Sequence, residues 1–135
     1  MTGDDLAQAA LALVGAPWRL HGRDPDHGLD CIGLLAAALG TAGRPVGLPT
    51  GYPLRLARLD GWLPDPATLG FTGAAGRVQP GDVVLIQPGP AQFHLAIAAP
   101  PPGGWIHAHA GVRRVVCTHD LPDGPIRGHW RPIPD

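Results

Sequence analysis

From Asp82 onward the chain is a series of short apolar, often β-branched runs, "DVVLIQ", "FHLAIAA", "GWIHAHAG", "VRRVVCTHD" and "IRGHWRPI", separated by stretches such as "PGP", "PPPGG" and "LPDGP". Runs of this length between Pro and Gly turns predict strands joined as an antiparallel meander. The first third has another rhythm. Over residues 4–14, Leu6, Ala9, Ala10, Leu13 and Val14 recur at helical spacing, Thr2 and Asp5 match a capping box, and Gly15 marks the stop. "CIGLLAAALG", residues 31–40, predicts a second helix, apolar on most sides and therefore buried, with Asp30 as its N-cap. Between Thr41 and Gly76 the only further signal is "LRLARLDGWL", a short helix. Helices first and strands second predict an α+β fold, with N-terminal helices packed on one face of a C-terminal antiparallel sheet. A chain of 135 residues without repeats or a linker fits a single domain, 1–135.

Composition removes whole mechanisms. The sequence contains no Ser, Lys, Glu or Asn. A serine triad, a lysine Schiff base, a phosphate-loop lysine and a glutamate acid or base are thereby excluded, leaving Cys, His, Asp, Thr, Tyr and Arg. A net charge of −1 with ten scattered arginines argues against a nucleic-acid partner. The opening "MTGDDLAQAALALVGAPW" puts two aspartates, and no basic stretch, ahead of its apolar part, unlike a secretory signal. No run approaches the roughly 18 apolar residues of a membrane span. Without an export signal, Cys31 and Cys117 are expected as free thiols.

Cys31 opens the second helix, where unpaired backbone amides favour a thiolate and are expected to lower its pKa. Plain packing is the alternative reading of a cysteine there. Two histidines on predicted strands, His94 and His107, are candidate partners. His94 shares its strand face with Ala96 and Ala98, which leave room beside it. His109 shares a face with His107 and competes for a role beside it. The three histidines of "FHLAIAA" and "HAHAG" also admit a zinc site for hydrolysis. His21, His27, His119 and His129, in loops or near strand ends, are expected to face solvent. Cys117 is expected to pack within its strand.

Three motifs, in order, resemble the NlpC-type cysteine peptidases of the papain-like class, which cut peptidoglycan stem peptides. "GAPWRLHGRDPDHGLDCIGLL" resembles that family's Gly-x-Pro-Tyr, Gly-rich loop and Asp-Cys-Ser-Gly helix; "QPGDVVLI" its Pro-Gly-Asp-Leu strand; "FHLAIAAPPPGGWIHA" its His-Val-Gly-Ile-Tyr strand, turn and Ile-His-Ala strand. The similarity is greatest to the compact peptidases of phage tails and gene-transfer agents, which also end in a Trp-Arg stretch like "HWRPIP". The resemblance implies a papain-like domain with Cys31 as nucleophile, His94 as general base and His107 as the residue orienting that base. It implies no cofactor or metal. The substrate would be a stem peptide, cut at a D-glutamyl to diaminopimelate type of bond. Partners would be phage-like tail or base-plate proteins, and the location the cytoplasm or a phage-like particle.

Two departures bear on the substrate. Trp18 stands where the family has a Tyr that polarises the scissile carbonyl, so that role passes to the Trp18 indole, to Tyr52 or to the Cys31 amide. Ile32 replaces the Ser that, with Asp30, grips a free amino end. Asp30 remains, either gripping substrate or only capping the helix. Arg19 and Arg23 precede Cys31, where a carboxylate-rich peptide needs cations. An inactive papain-like structural component of a tail tip is the alternative.

Overall fold

Thr2 accepts from the Asp5 amide at 3.1 Å while the Asp5 carboxylate accepts from the Thr2 amide at 2.8 Å, a reciprocal capping box that starts helix α1, Gly3–Leu11. The computed structural model describes residues 1–53 and 63–135. In it α1 stops a turn short of Val14. The amides of Leu13 and Val14 bond three residues back, to Ala10 and Leu11, and Gly15 then donates to the Val115 carbonyl at 2.9 Å. That tie to the sheet ends the helix and leaves Val14 exposed. The loop that follows carries a small antiparallel hairpin, β1 Arg23–Asp24 and β2 Gly28–Leu29. Helix α2, Cys31–Thr41, begins directly after it. The short helix expected over 54–63 falls on residues 54–62, outside the described ones.

A 3-10 turn, Pro66–Leu69, leads into β3, Phe71–Gly73. Then come β4 Val83–Gly89, β5 Gln92–Ala98, β6 Trp105–His109, β7 Arg114–Thr118 and β8 Ile126–Pro132. The fold is α+β: N-terminal helices on a large C-terminal antiparallel sheet of order β3-β8-β4-β5-β6-β7. β4 to β7 form the expected meander. β8 departs from it, returning to the far side of β4 with Val83 opposite Trp130 and Val84 opposite His129.

The pleat divides the sheet residues between two cores. Val83, Leu95, Ile97, Ile106, Ala108 and Val115 pack against Leu6 and Ala10 of α1 and Leu34, Leu35, Ala38 and Leu39 of α2. Val84, Ile86 and Ala96 point the other way, under Trp105 and Leu121. Ala96 is therefore covered and does not provide the room expected beside His94.

Two glycines set how closely α2 approaches the preceding loop. A Cβ at Gly33 would lie 1.9 Å from the Gly22 carbonyl oxygen, and one at Gly22 would lie 2.1 Å from that of Gly28. Only hydrogen side chains permit this contact, and it fixes the start of α2 against the hairpin.

Candidate active site

β5 and β6 pair only at Ile97 with Ile106 and Ala98 with Trp105, so the sheet is split over the first half of β5. Ala98 exchanges backbone bonds with the β4 side, through Asp82 and Gly81. By strand alternation the Leu95 amide therefore faces the split. The start of α2 sits at this opening. A cavity of about 150 Å3 is lined there by Trp18, Asp30, Cys31, Tyr52 and His94, with Ala108 and Ala110 on its floor.

Across the split, His94 Nε2 lies 2.9 Å from His107 Nδ1, the two rings nearly perpendicular. His107 Nε2 lies 3.0 Å from Thr118 Oγ1, whose hydroxyl donates to the Asp120 carbonyl at 2.8 Å. His107 is buried, 2% exposed, whereas His109 is exposed and its Nδ1 accepts from the Val112 amide. Burial, then the neighbouring His107 and His109, push His94 down to about 4. Burial and then His109 lower His107 as well. Both rings are neutral at physiological pH.

Cys31 differs from the sequence expectation. Burial, then the charge of Asp30, raise its thiol to about 11, although the amides of Leu95, Ile32 and Cys31 itself pull the other way. Burial and, after it, the carboxylate that caps α2 outweigh the lowering effect of the helix start. Asp30 Oδ1 already accepts from the Gly33 amide at 2.8 Å, spending part of the helix-start field on its own charge.

Asp30 is the hub beneath the cavity. Besides Gly33, its carboxylate accepts from the His21 amide at 2.8 Å, from Arg23 Nη1 at 3.1 Å and from the Tyr52 hydroxyl. Arg23 Nη2 reaches the Tyr52 oxygen at 3.0 Å and the Pro49 carbonyl at 2.6 Å. Burial, then the bond to Asp30, raise the Tyr52 phenol. Its proton is thus given to Asp30, and the amides of Leu95, Ile32 and Cys31 are the donors beside the sulfur. Trp18 is half-buried in the cavity wall, and its amide donates to the Arg113 carbonyl at 3.0 Å.

Of the residues named from sequence, Cys31, His94, Trp18, Asp30 and Tyr52 meet at one cavity, and His107 stands behind His94. Arg19 is exposed and is not part of the cavity wall. His21 is half-buried with its ring on the Tyr52 carbonyl, and His129 is half-buried on Asp82, so neither is a plain solvent-facing loop residue. Cys117 is a free thiol like Cys31 but is exposed, because its side chain falls outside both cores. Sequence reasoning missed Thr118 and the Leu95 amide. A buried imidazole needs partners for both nitrogens, and a hydroxyl on the neighbouring strand is the signal that was there to find.

A larger hollow of about 290 Å3, among Leu35, Leu69, Phe71, Leu85 and Trp130, is almost wholly apolar and contains neither cysteine nor histidine. No family model matches the chain, and no curated protein matches it significantly.

Proposed function

We propose that the chain is an NlpC-type, papain-like cysteine peptidase that hydrolyses an amide bond of peptidoglycan stem peptides, of the D-glutamyl to diaminopimelate kind. The observation that carries the reading is a helix-start cysteine sharing a cavity with a neutral histidine whose far nitrogen is held by a second histidine. The order of the three sequence motifs supports the substrate class.

With the thiol near 11 and the imidazole near 4, the resting pair is uncharged. Proton transfer therefore accompanies attack. His94 takes the thiol proton as sulfur bonds to the scissile carbonyl carbon, and the carbonyl π pair moves to oxygen, stabilised by the amides at the start of α2. The oxyanion collapses, the C–N bond breaks, and protonated His94 gives its proton to the leaving amine. Water, deprotonated by His94, then releases the acid from the thioester and returns the proton to sulfur. Zinc hydrolysis finds less support. His94 and His107 turn a nitrogen toward each other at hydrogen-bond distance, which leaves no space for a cation between them.

The test is hydrolysis of a purified stem peptide, followed by release of the new amine. Cys31→Ala is expected to abolish turnover with an unchanged circular dichroism spectrum, since Ala is the best helix former. Turnover that survives Cys31→Ala overturns the reading, and a wild-type protein that cleaves no stem peptide favours the structural tail-tip component.

A further inference from the structure

We propose that Thr118 is a positioning residue that decides which nitrogen of His94 is free to take a proton. The Asp120 carbonyl can only accept, so the Thr118 hydroxyl proton is committed to it at 2.8 Å. Thr118 Oγ1 must then accept at 3.0 Å from His107 Nε2, which carries the hydrogen. A neutral His107 with its hydrogen on Nε2 has a bare Nδ1, and at 2.9 Å that nitrogen accepts from His94 Nε2–H. His94 is left with Nδ1 as its one basic position. Every link runs in one direction because the chain ends on a carbonyl; the reverse order would turn the hydroxyl proton toward His107 and leave two oxygens facing each other at 2.8 Å with no hydrogen between them.

The placement is built into β7. His107 pairs with Val116, and Thr118 lies two residues further along the same strand face. The side chain of Asp120 is not involved. It is exposed and bonded to His119, so only its backbone serves the relay.

The inference rests on the peptidase reading for its kinetic consequence alone; the proton order is a property of the free protein. It is tested by long-range 1H–15N correlation spectra of the histidine rings, without substrate, in wild type, Thr118→Ser, Thr118→Val and Asp120→Ala. Wild type, Thr118→Ser and Asp120→Ala are expected to carry hydrogen on Nε2 of both His94 and His107. Thr118→Val is expected to give mixed tautomers in both rings and about a tenfold loss of turnover, the worth of one net hydrogen bond. Thr118→Ala, which places no methyl against His107, carries the same expectation should the valine disturb folding. A hydrogen on Nδ1 of either wild-type ring, or unchanged tautomers without the hydroxyl, overturns the proposal. The expected tautomers in a protein that cleaves no peptide would sink the peptidase reading and leave the proton order standing.

Discussion

Two histidines of the same sheet keep opposite company. His94, at the split between β5 and β6, is bonded to another imidazole and through it to a hydroxyl and a carbonyl. His129, on β8, is bonded at 2.7 Å to Asp82, a fully buried carboxylate that also binds Nε and Nη2 of Arg131 and the Gln79 amide. Burial alone would raise Asp82, but Arg131, the Gln79 amide and His129 hold it below the usual carboxylate range. All the partners there close on one another, and the cluster pins the turn before β4 to the last strand. Around His94 the uncharged chain neutralises nothing and leaves one ring nitrogen outside the relay, in a residue that shares its cavity with Cys31. A polar cluster with matched charges holds the fold together, whereas an uncharged relay in an apolar wall keeps a base in its basic form.

The widest separation between the two should appear in turnover. Loss of the base and proton donor in His94→Ala is expected to cost on the order of 10²- to 10⁴-fold. His129→Ala should leave the turnover of folded protein unchanged. Equal losses in the two variants would erase the distinction. The reverse pattern belongs to stability. Asp82→Asn removes the charged acceptor shared by Arg131, His129 and the Gln79 amide and should lower the urea midpoint of unfolding, with turnover of the folded fraction intact. The folded pKa of Asp82 is depressed, so its contribution is present above the unfolded value near 3.8 and is lost as pH falls through the folded one. Stability that does not fall more steeply with acid in wild type than in Asp82→Asn contradicts this.

How far each cluster was legible follows from how local its chemistry is. The caps at Thr2 and Asp30 and the runs that become β4 to β7 are read from residues a few positions apart. β8 is a strand in the sequence, but its place beside β4 follows from a pairing across some forty residues, which no short-range pattern encodes. His129 was accordingly read as a surface residue. Cys31 and His94 are legible as types in motifs, and their common cavity depends on a split between strands that appears only once the ladder is seen to stop at Ile97. The sign of the Cys31 shift has a physical reason that the motif does not show: the thiol is buried by the packed sheet, and Asp30, the cap, is also a negative charge next to it.

That sign can be measured. In a Cys117→Ala background, which removes the exposed thiol, alkylation of Cys31 by iodoacetamide should be slow at neutral pH. It should rise about tenfold per pH unit through 7 to 9, as a thiol near 11 requires. A thiolate–imidazolium pair would instead give a fast rate that is flat over that range, and that profile would overturn the uncharged resting state.

The smallest effect discriminates most finely, because it tests the direction of the relay rather than its existence. His107 accepts from His94 on one nitrogen and donates to Thr118 from the other. His107→Ala removes both bonds and should lower turnover about tenfold, less than His94→Ala because the base itself remains. A glutamine at this position has a carbonyl that can accept from His94 Nε2–H and an amide hydrogen that can donate to Thr118 Oγ1, so His107→Gln should recover part of the loss. Only one orientation of that amide works. Flipped, it would set two donors against each other at His94 and offer Thr118 an acceptor for a proton already committed to Asp120. At His94 the same substitution should recover nothing, since an amide is no base at neutral pH. Single-turnover rates of the His107→Ala, His107→Gln, His94→Ala and His94→Gln variants, each checked for folding, decide the matter. Equal rates for His107→Gln and His107→Ala would mean that His107 fills space behind His94 without directing its proton, and the uncharged cluster would then be as purely structural as the one around Asp82.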